Sequence, residues 1–433
     1  MITQSWLHSS DWAKSDPHLK KYHAQSFKRA SLPLDPAPGI HTLLGPRRIG
    51  KSTQFKLWIQ ELLTSRRIAG EKIVYLDAER FENWKELYQT IAPFEKCVLF
   101  IDEVTAPKDW ERALKIFADE GKIETTCIWI TGSNAFALKN SGERLPGRRG
   151  KGLILRDAEL LPLTFKEFHH VMTVNTPPSS ATQSFEKFLR WGGYPASVSE
   201  CLDHESCSTD WLQELLDVVL GEASRMHRSP RLTAALSERI WINLTQRTSY
   251  HAISKMIDAG SHPIIRQYIE ILEGCYTLIT AERFNPKTKG GVLKKEKKFY
   301  FLDPLVMHAL VSYAQQGRLD PDWLKTQIEE PSKKGLLIEN VVASELRKKN
   351  FVFYYDEAYG GEIDFVLPFQ PELPAIEVKL SMPSLSEIRP MTAYPKGEVW
   401  VYRWMNPTSK DGERITKIGE TKVCSLVDRL LEL

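Results

Sequence analysis

The residues that most restrict this chain are Gly45-Pro46-Arg47-Arg48-Ile49-Gly50-Lys51-Ser52, which fit G-x-x-x-x-G-K-[ST]. That pattern is a glycine-rich turn between a strand and a helix. Its glycines let backbone N–H groups turn inward and ring an anion. A helix beginning near Lys51 aims the positive end of its dipole at the same point. Lys51 is then the group that reaches the β- and γ-phosphates of ATP, and the Ser52 hydroxyl ligates Mg2+. Residues 45–53, ending with Thr53, make up the expected cradle. The flanks agree: extended HTLL comes before, and Lys51–Arg67 carries Phe55, Leu57, Trp58, Ile59, Leu62 and Leu63 at helical spacing. The alternative is a glycine-rich turn without a ligand.

Three apolar runs follow, KIVYLDAE (72–79), CVLFIDEV (97–104) and CIWITGSN (127–134), with helix-compatible FENWKELYQTI (81–91) and DWERALKIFAD (109–119) between them. Strands alternating with helices predict a parallel sheet covered on both faces. A fifth strand is expected at GLILRDAEL (152–160). CVLFIDEV delivers two carboxylates to a strand end: Asp102 for the Mg2+ shell and Glu103 as general base for the attacking water. KIVYLDAE, lying between the loop and this strand, points to the additional-strand branch of P-loop ATPases. Ser133, or second Asn134, is placed to touch the γ-phosphate or its water; a capped strand-to-helix turn explains the same residues. Among Arg144, Arg148 and Arg149, one would serve as an arginine finger for a neighbouring subunit, unless the loop is simply solvated.

GPRRIGKST, LFIDEV, ITGSN, LPGR, LPLTFKEF and WGGYP, in this order, resemble a prokaryotic AAA+ family that joins an ATPase core to a C-terminal domain of unknown function, often nuclease-like. Arg48, Ser52 and Val104-Thr105 depart from the usual family forms, which have Gln, Thr and LDEIQ there. The resemblance covers about residues 40–310 well and 330–400 more loosely, and it implies ATP hydrolysis without naming a substrate. The expected architecture is α/β: a P-loop AAA+-type parallel sheet core, then a winged helix-turn-helix, then an α/β restriction-endonuclease-like domain. The boundaries are 1–38 for an N-terminal extension, 39–172 for the ATPase core, 173–232 for a helical lid, 233–315 for the winged helix and 330–433 for the last domain.

The winged helix is read from LSERIWINLTQ, SYHAISKMIDAG and HPIIRQYIEILEGC, followed by strands TLITAERF and KKFYFLD. Its hairpin carries Lys287, Lys289, Lys294, Lys295, Lys297 and Lys298, a patch suited to a phosphate backbone. A solvated loop or an acidic protein partner would also account for it. A connector rich in Pro, Lys and Glu is expected at about 316–334, and a helix at 335–349.

GEIDFVL and AIEVKLS alternate as strands do, so Glu362 and Asp364 share a face, as do Glu377 and Lys379. A hairpin would set Asp364 beside Glu377, where two carboxylates would take Mg2+ or Mn2+. Lys379 would orient the nucleophile, and Glu339 on the preceding helix would add an acid. The pattern resembles the PD-(D/E)XK nuclease fold, similar in particular to archaeal Holliday-junction resolvases. An inactive nuclease-like domain and a plain solvated hairpin stay open. A final helix is expected at VCSLVDRLLEL.

The 433 residues are 42% hydrophobic and 26% charged, which speaks against a disordered or fibrous chain. No apolar run reaches membrane length, and MITQSWLHSSDWAKSD lacks a secretory pattern. The net charge of +3 confines any nucleic-acid contact to a local patch. Six cysteines read as reduced thiols of a cytoplasmic protein; Cys201, His204 and Cys207 lack a fourth zinc ligand. The leading expectation is an ATPase acting on nucleic acid, DNA in the first place, with a metal-dependent nuclease domain. One rival is a nucleotide-controlled switch that binds a protein partner, with its terminal domain inactive; the other is a DNA-binding regulator in which ATP only sets the oligomeric state, the chain then pairing with copies of itself.

Overall fold

The computed structural model describes residues 2–132, 138, 145, 147–150, 156–175, 180–257, 261–403 and 415–433. The chain divides into two compact units: Met1–Leu161 with Gly274–Tyr276, and Pro162–Glu273 with Thr277–Leu433.

The first unit is built on β1 (Ile2–Thr3), β2 (Gly39–Leu44), β3 (Ile73–Asp77), β4 (Val98–Asp102), β5 (Cys127–Thr131) and β6 (Asp157–Glu159), in the order β1-β3-β4-β5-β2-β6. β2 to β6 run parallel and β1 adds an antiparallel edge. β2, β4 and β5 are buried along their whole length, as strands covered on both faces must be. The strand that separates β2 from β4 in the sheet is β5, whereas β3 lies beyond β4. The additional strand is therefore CIWIT and not KIVYLD, because crossovers place strands out of chain order. Of GLILRDAEL, the described part forms β6 from Asp157 onward.

Helix α1 (Trp12–Ser15), α2 (Pro17–Ala24), α3 (Lys51–Thr64), α4 (Trp84–Ile91) and α5 (Glu111–Asp119) complete the described helices of this unit. α3 buries Lys51, Phe55, Trp58, Ile59 and Leu62 on one face, the stripe that a 3.6-residue period provides. Phe55 packs on Phe100 with ring centroids 5.1 Å apart, and Trp58 on Trp129 at 4.6 Å. Each such aromatic stabilises the fold by about 2–3 kcal/mol on burial. The first 38 residues are woven into the same core. The Trp58 indole donates to Leu32 O at 2.7 Å and the Trp129 indole to Asp35 O at 3.0 Å.

The second unit opens with helices Phe165–Asn175, Ala181–Trp191, Pro195–His204 and Thr209–Arg225. Helices Pro230–Ile242, Tyr250–Met256 and His262–Gly274 come next, followed by β7 (Leu278–Glu282), β8 (Phe284–Asn285), β9 (Gly290–Gly291) and β10 (Lys297–Phe301). β7 and β10 pair antiparallel, as do β8 and β9, so three helices and a hairpin stand in the expected order. The stretch read as a connector holds helix Trp323–Glu329, with Trp323, Leu324 and Ile328 buried. The next helix starts at Pro331, ahead of the expected 335, since proline suits a first turn.

β11 (Tyr354–Ala358), β12 (Gly361–Val366), β13 (Ala375–Ser381), β14 (Glu398–Arg403), β15 (Ile415–Ile418) and β16 (Thr421–Ser425) form a mixed sheet in the order β11-β12-β13-β14-β16-β15. VCS belongs to β16, and the last helix is Leu426–Glu432, capped by the Ser425 hydroxyl. The β-branched and sulfur side chains of VCS fit a strand better than a helix start.

Asp303 explains the first glycine of WGGYP and the Leu163 backbone the second. The buried Asp303 carboxylate accepts from Gly193 N at 2.8 Å and from Leu305 N at 2.9 Å. Gly192 has φ +61°, and a Cβ there would fall 2.2 Å from Asp303 Oδ1. A Cβ on Gly193 would fall 2.4 Å from Leu163 O.

Candidate functional site

In the first unit the loop after β2 has the backbone a phosphate cradle needs. Gly45 has φ +147°, and a Cβ on it would lie 2.1 Å from Leu160 O. Gly50, at the N-cap of α3, has φ +102° and nothing within 4 Å of an added Cβ, so its backbone angle and not crowding calls for glycine there. Arg48 also adopts a left-handed φ of 63°. Lys51 is buried, and its Nζ donates to Gly45 O at 3.0 Å and Pro46 O at 2.9 Å. Ser52 and Thr53 stand in the first turn of α3. A loop with glycines at left-handed angles, a lysine folded over it and a hydroxyl at the helix start together fit an Mg2+-bound triphosphate.

β4 ends in the acidic pair. Asp102 is buried; its Oδ2 accepts from the Tyr75 hydroxyl at 2.8 Å and its Oδ1 from Glu103 N at 3.1 Å. Glu103 has φ +51°, a region that costs a β-carbon residue free energy and gathers at functional sites. Asp77 lies opposite Asp102 in the β3–β4 register. Burial, then the Glu103 and Asp77 charges, raises the Glu79 pKa.

Behind Asp102 is a group of residues that the sequence reading did not single out. Lys56 Nζ lies 3.3 Å from the centre of the Tyr75 ring and 3.4 Å from Asp16 Oδ2. Burial lowers the Lys56 pKa against the pull of Asp16, and burial followed by the Asp102 charge raises that of Tyr75. The available signal was a lysine on the buried stripe of α3 and a tyrosine inside an apolar strand.

Ser133, Asn134 and Arg144 lie outside the described residues. Arg148 pairs with Asp119 at 2.6 Å at the end of α5. Arg149 is buried and donates to Ile40 O at 3.1 Å, Thr42 Oγ1 at 3.0 Å and Asp157 Oδ1 at 2.8 Å. It therefore clamps β6 to β2.

In the second unit Asp364 and Glu377 meet across β12 and β13, as the strand pattern implies. Asp364 N donates to Glu377 Oε2 at 3.2 Å and Val378 N to Asp364 Oδ2 at 2.9 Å. Lys379 pairs with Glu377 at 2.7 Å. Burial, helped by the Asp364 charge, pushes the Glu377 carboxyl up to about 8 and the Glu339 carboxyl up to about 7.

The hairpin lysines divide. Lys287, Lys289, Lys294 and Lys295 are exposed. Lys297 and Lys298 are buried and leave the surface patch, because KKFYF is a strand whose two faces are both covered. Lys297 pairs with Glu282 at 3.1 Å. Lys298 Nζ lies 3.1 Å from Glu339, 2.5 Å from Glu362 and 3.1 Å from Asp364. Burial works against its charge, but Glu339, Tyr300, Asp364 and Glu362 outweigh that and hold its pKa well above the usual lysine range. Among the described residues no group of three or more His, Cys, Asp or Glu side chains is arranged to hold a metal ion. Glu339, Asp364 and Glu377 thus do not form such a three-membered group. No disulfide joins any of the six cysteines. No helix among the described residues is long and apolar enough to cross a membrane.

Residues 37–169 match the family model of an AAA domain, and residues 182–317 and 334–420 match two domains of unknown function. An uncharacterised protein of Haemophilus influenzae is 25% identical over 91% of this chain and 94% of its own length. An uncharacterised protein of Methanocaldococcus jannaschii is 25% identical over 69% of this chain and 64% of its own. A Walker-type ATPase of Pyrococcus abyssi is similar over 70% of this chain and 95% of its own, at 17% identity and a TM-score of 0.43. Residues 37–169, most of them in the first unit, are thus similar to an AAA-type ATPase domain.

Proposed function

We propose that this chain is an Mg2+-dependent ATPase whose nucleotide turnover controls its grip on a nucleic acid. The observation that carries the first half is the Gly45–Ser52 loop, with Lys51 folded over it and left-handed turns at Arg48 and Gly50. Lys51 exchanges its loop carbonyls for phosphate oxygens. Ser52 and Asp102 would hold the Mg2+, which would supply neutralising charge beside the phosphates. Glu103 polarises the water, and Tyr75 fixes the Asp102 carboxylate by its hydrogen bond. Ser133 or Asn134 senses the γ-phosphate, and Arg148 is the candidate finger for a neighbouring copy. The second half rests on Lys287, Lys289, Lys294 and Lys295, which stay exposed on the hairpin and suit a sequence-independent phosphate contact, with DNA as the first candidate.

ATP turnover with and without Mg2+ tests the site directly. Wild type should hydrolyse ATP, Lys51→Ala should lose nucleotide, and Glu103→Gln should retain it while turning over slowly. Absence of both binding and turnover in wild type would remove the proposal. A second reading, a nucleotide-controlled switch that binds a protein partner through an inactive terminal domain, is favoured by Lys298 standing among the carboxylates. Salt-dependent binding to duplex and single strands separates the two: binding unchanged on replacing the four exposed lysines would favour the switch.

A further inference from the structure

The cluster on β12, β13 and helix Pro331–Lys348 already contains a cation, and that cation is part of the chain. The Lys298 ammonium is 1% exposed and lies within 3.1 Å of Glu339, Glu362 and Asp364. An ammonium has three donors, and here three carboxylates receive it. Divalent ions of the kind a nuclease uses bind such oxygens at about 2.0–2.6 Å, so a metal would claim the same oxygens from the same space. We infer that Lys298 is the resident cation of this cluster, so that the C-terminal domain takes no divalent metal at Glu339, Asp364 and Glu377 and cuts no phosphodiester bond while β10 is docked.

Several contacts keep the lysine from swinging aside. β10 pairs with β7 over five residues, from Lys297 with Glu282 to Phe301 with Leu278. Asn340, on the same helix as Glu339, clasps Phe301 through its backbone N at 2.7 Å and O at 3.0 Å. Tyr300, two residues on and on the same face as Lys298, donates to Glu339 at 2.9 Å and is itself fully buried. Arg247 covers the Glu362 carboxylate at 2.9 Å. Admitting a metal therefore requires β10 to leave its place and not merely a side-chain rotation. The inference rests on the nuclease-like reading of β12 and β13 and is independent of the ATP site.

Direct Mn2+ binding by the full-length, nucleotide-free protein tests it, with Mn2+ alone as the probe and electron paramagnetic resonance as the readout. Wild type and Asp364→Asn should bind equally, showing no site that depends on Asp364. Lys298→Ala should gain about one Mn2+ per chain, and Lys298→Ala with Asp364→Asn should lose it again. A wild-type site abolished by Asp364→Asn would overturn the inference, as would a folded Lys298→Ala protein that binds no Mn2+. Should Lys298→Ala fail to fold, the comparison of wild type with Asp364→Asn still decides, and Lys298→Arg, which keeps the cation, should fold and stay metal-free. Plasmid nicking in Mn2+ should be at background for wild type, and Asp364-dependent nicking by wild type would equally sink it. No arm uses ATP, so failure here leaves the ATPase reading untouched.

Discussion

Two buried lysines, one in each unit, show how partners decide what an ammonium can do. Lys51 donates to two backbone carbonyls of its own loop, and on the proposed reading such dipoles give way to an arriving phosphate that carries full charge. Lys298 stands among three carboxylates, and no incoming neutral or cationic group can displace them. Hydrogen bonds to charged partners are worth roughly twice those to neutral ones. The first lysine is thus poised for a ligand, while the second is itself the ligand of its site.

Substitutions should separate these roles. Lys51→Ala should cut ATP turnover by about 10²–10³-fold, the loss typical of removing a donor aimed at developing charge, with the melting of the protein little changed. Glu103→Gln should lower turnover by about 10²-fold or more with nucleotide retained in a filter assay; equal turnover would return the base role to another group. Lys298→Ala should do the reverse of Lys51→Ala: leave turnover near wild type and destabilise the second unit by about 3–5 kcal/mol, the cost of stranding buried charge. A loss of ATPase with no loss of stability there would break the comparison. Tyr75→Phe should cost about 1 kcal/mol and a few-fold in turnover, because Asp102 Oδ2 loses its donor.

Smaller effects sharpen the contrast. Replacing Lys287, Lys289, Lys294 and Lys295 by Ala should change stability by no more than about 0.5 kcal/mol. The same change should lower the slope of DNA affinity against salt, on logarithmic axes, by about 0.9 for each phosphate that is no longer neutralised. His308 supplies one part of the pH response of the second unit, opposite in sign to that of Glu339 and Glu377, whose raised carboxyls favour the folded state as pH falls. Burial lowers the His308 pKa, against the pull of Asp320, so the folded chain holds it neutral. Below about pH 6.5 the unfolded chain takes up the proton first. The His308 contribution to stability then falls as pH drops through that range, by at most about 1.4 kcal/mol per unit. His308→Gln should flatten the slope in urea unfolding at pH 7.5 and 5.5.

Much of this was legible in the sequence because the signals were local. The glycine spacing of residues 45–52 marked a turn between a strand and a helix, and the apolar run into Asp102 marked a buried strand of a parallel sheet. Period-two alternation in GEIDFVL and AIEVKLS set Asp364 beside Glu377. What was missed depends on distant packing. Tyr75, Lys56 and Asp16 are separated in sequence and meet only because α2, α3 and β3 pack together. The six lysines looked like one patch, although Lys297 and Lys298 were already inside a run read as a strand. Charge counted along the chain says nothing about which of two strand faces a side chain takes. Hairpin β15–β16 went unread because its ladder is short, at four pairs, and its apolar content looked continuous with the terminal helix.

The turn held by Asp303 has its own consequence. One carboxylate serves both as the acceptor for Gly193 and as the cap of helix Pro304–Gln316, and its outline leaves Gly192 no side chain. Positions 192 and 303, more than a hundred residues apart, therefore behave as one mutational unit: enlarging the glycine is tolerable only if the acid is surrendered, and surrendering the acid unfastens a helix start and an amide at a stroke.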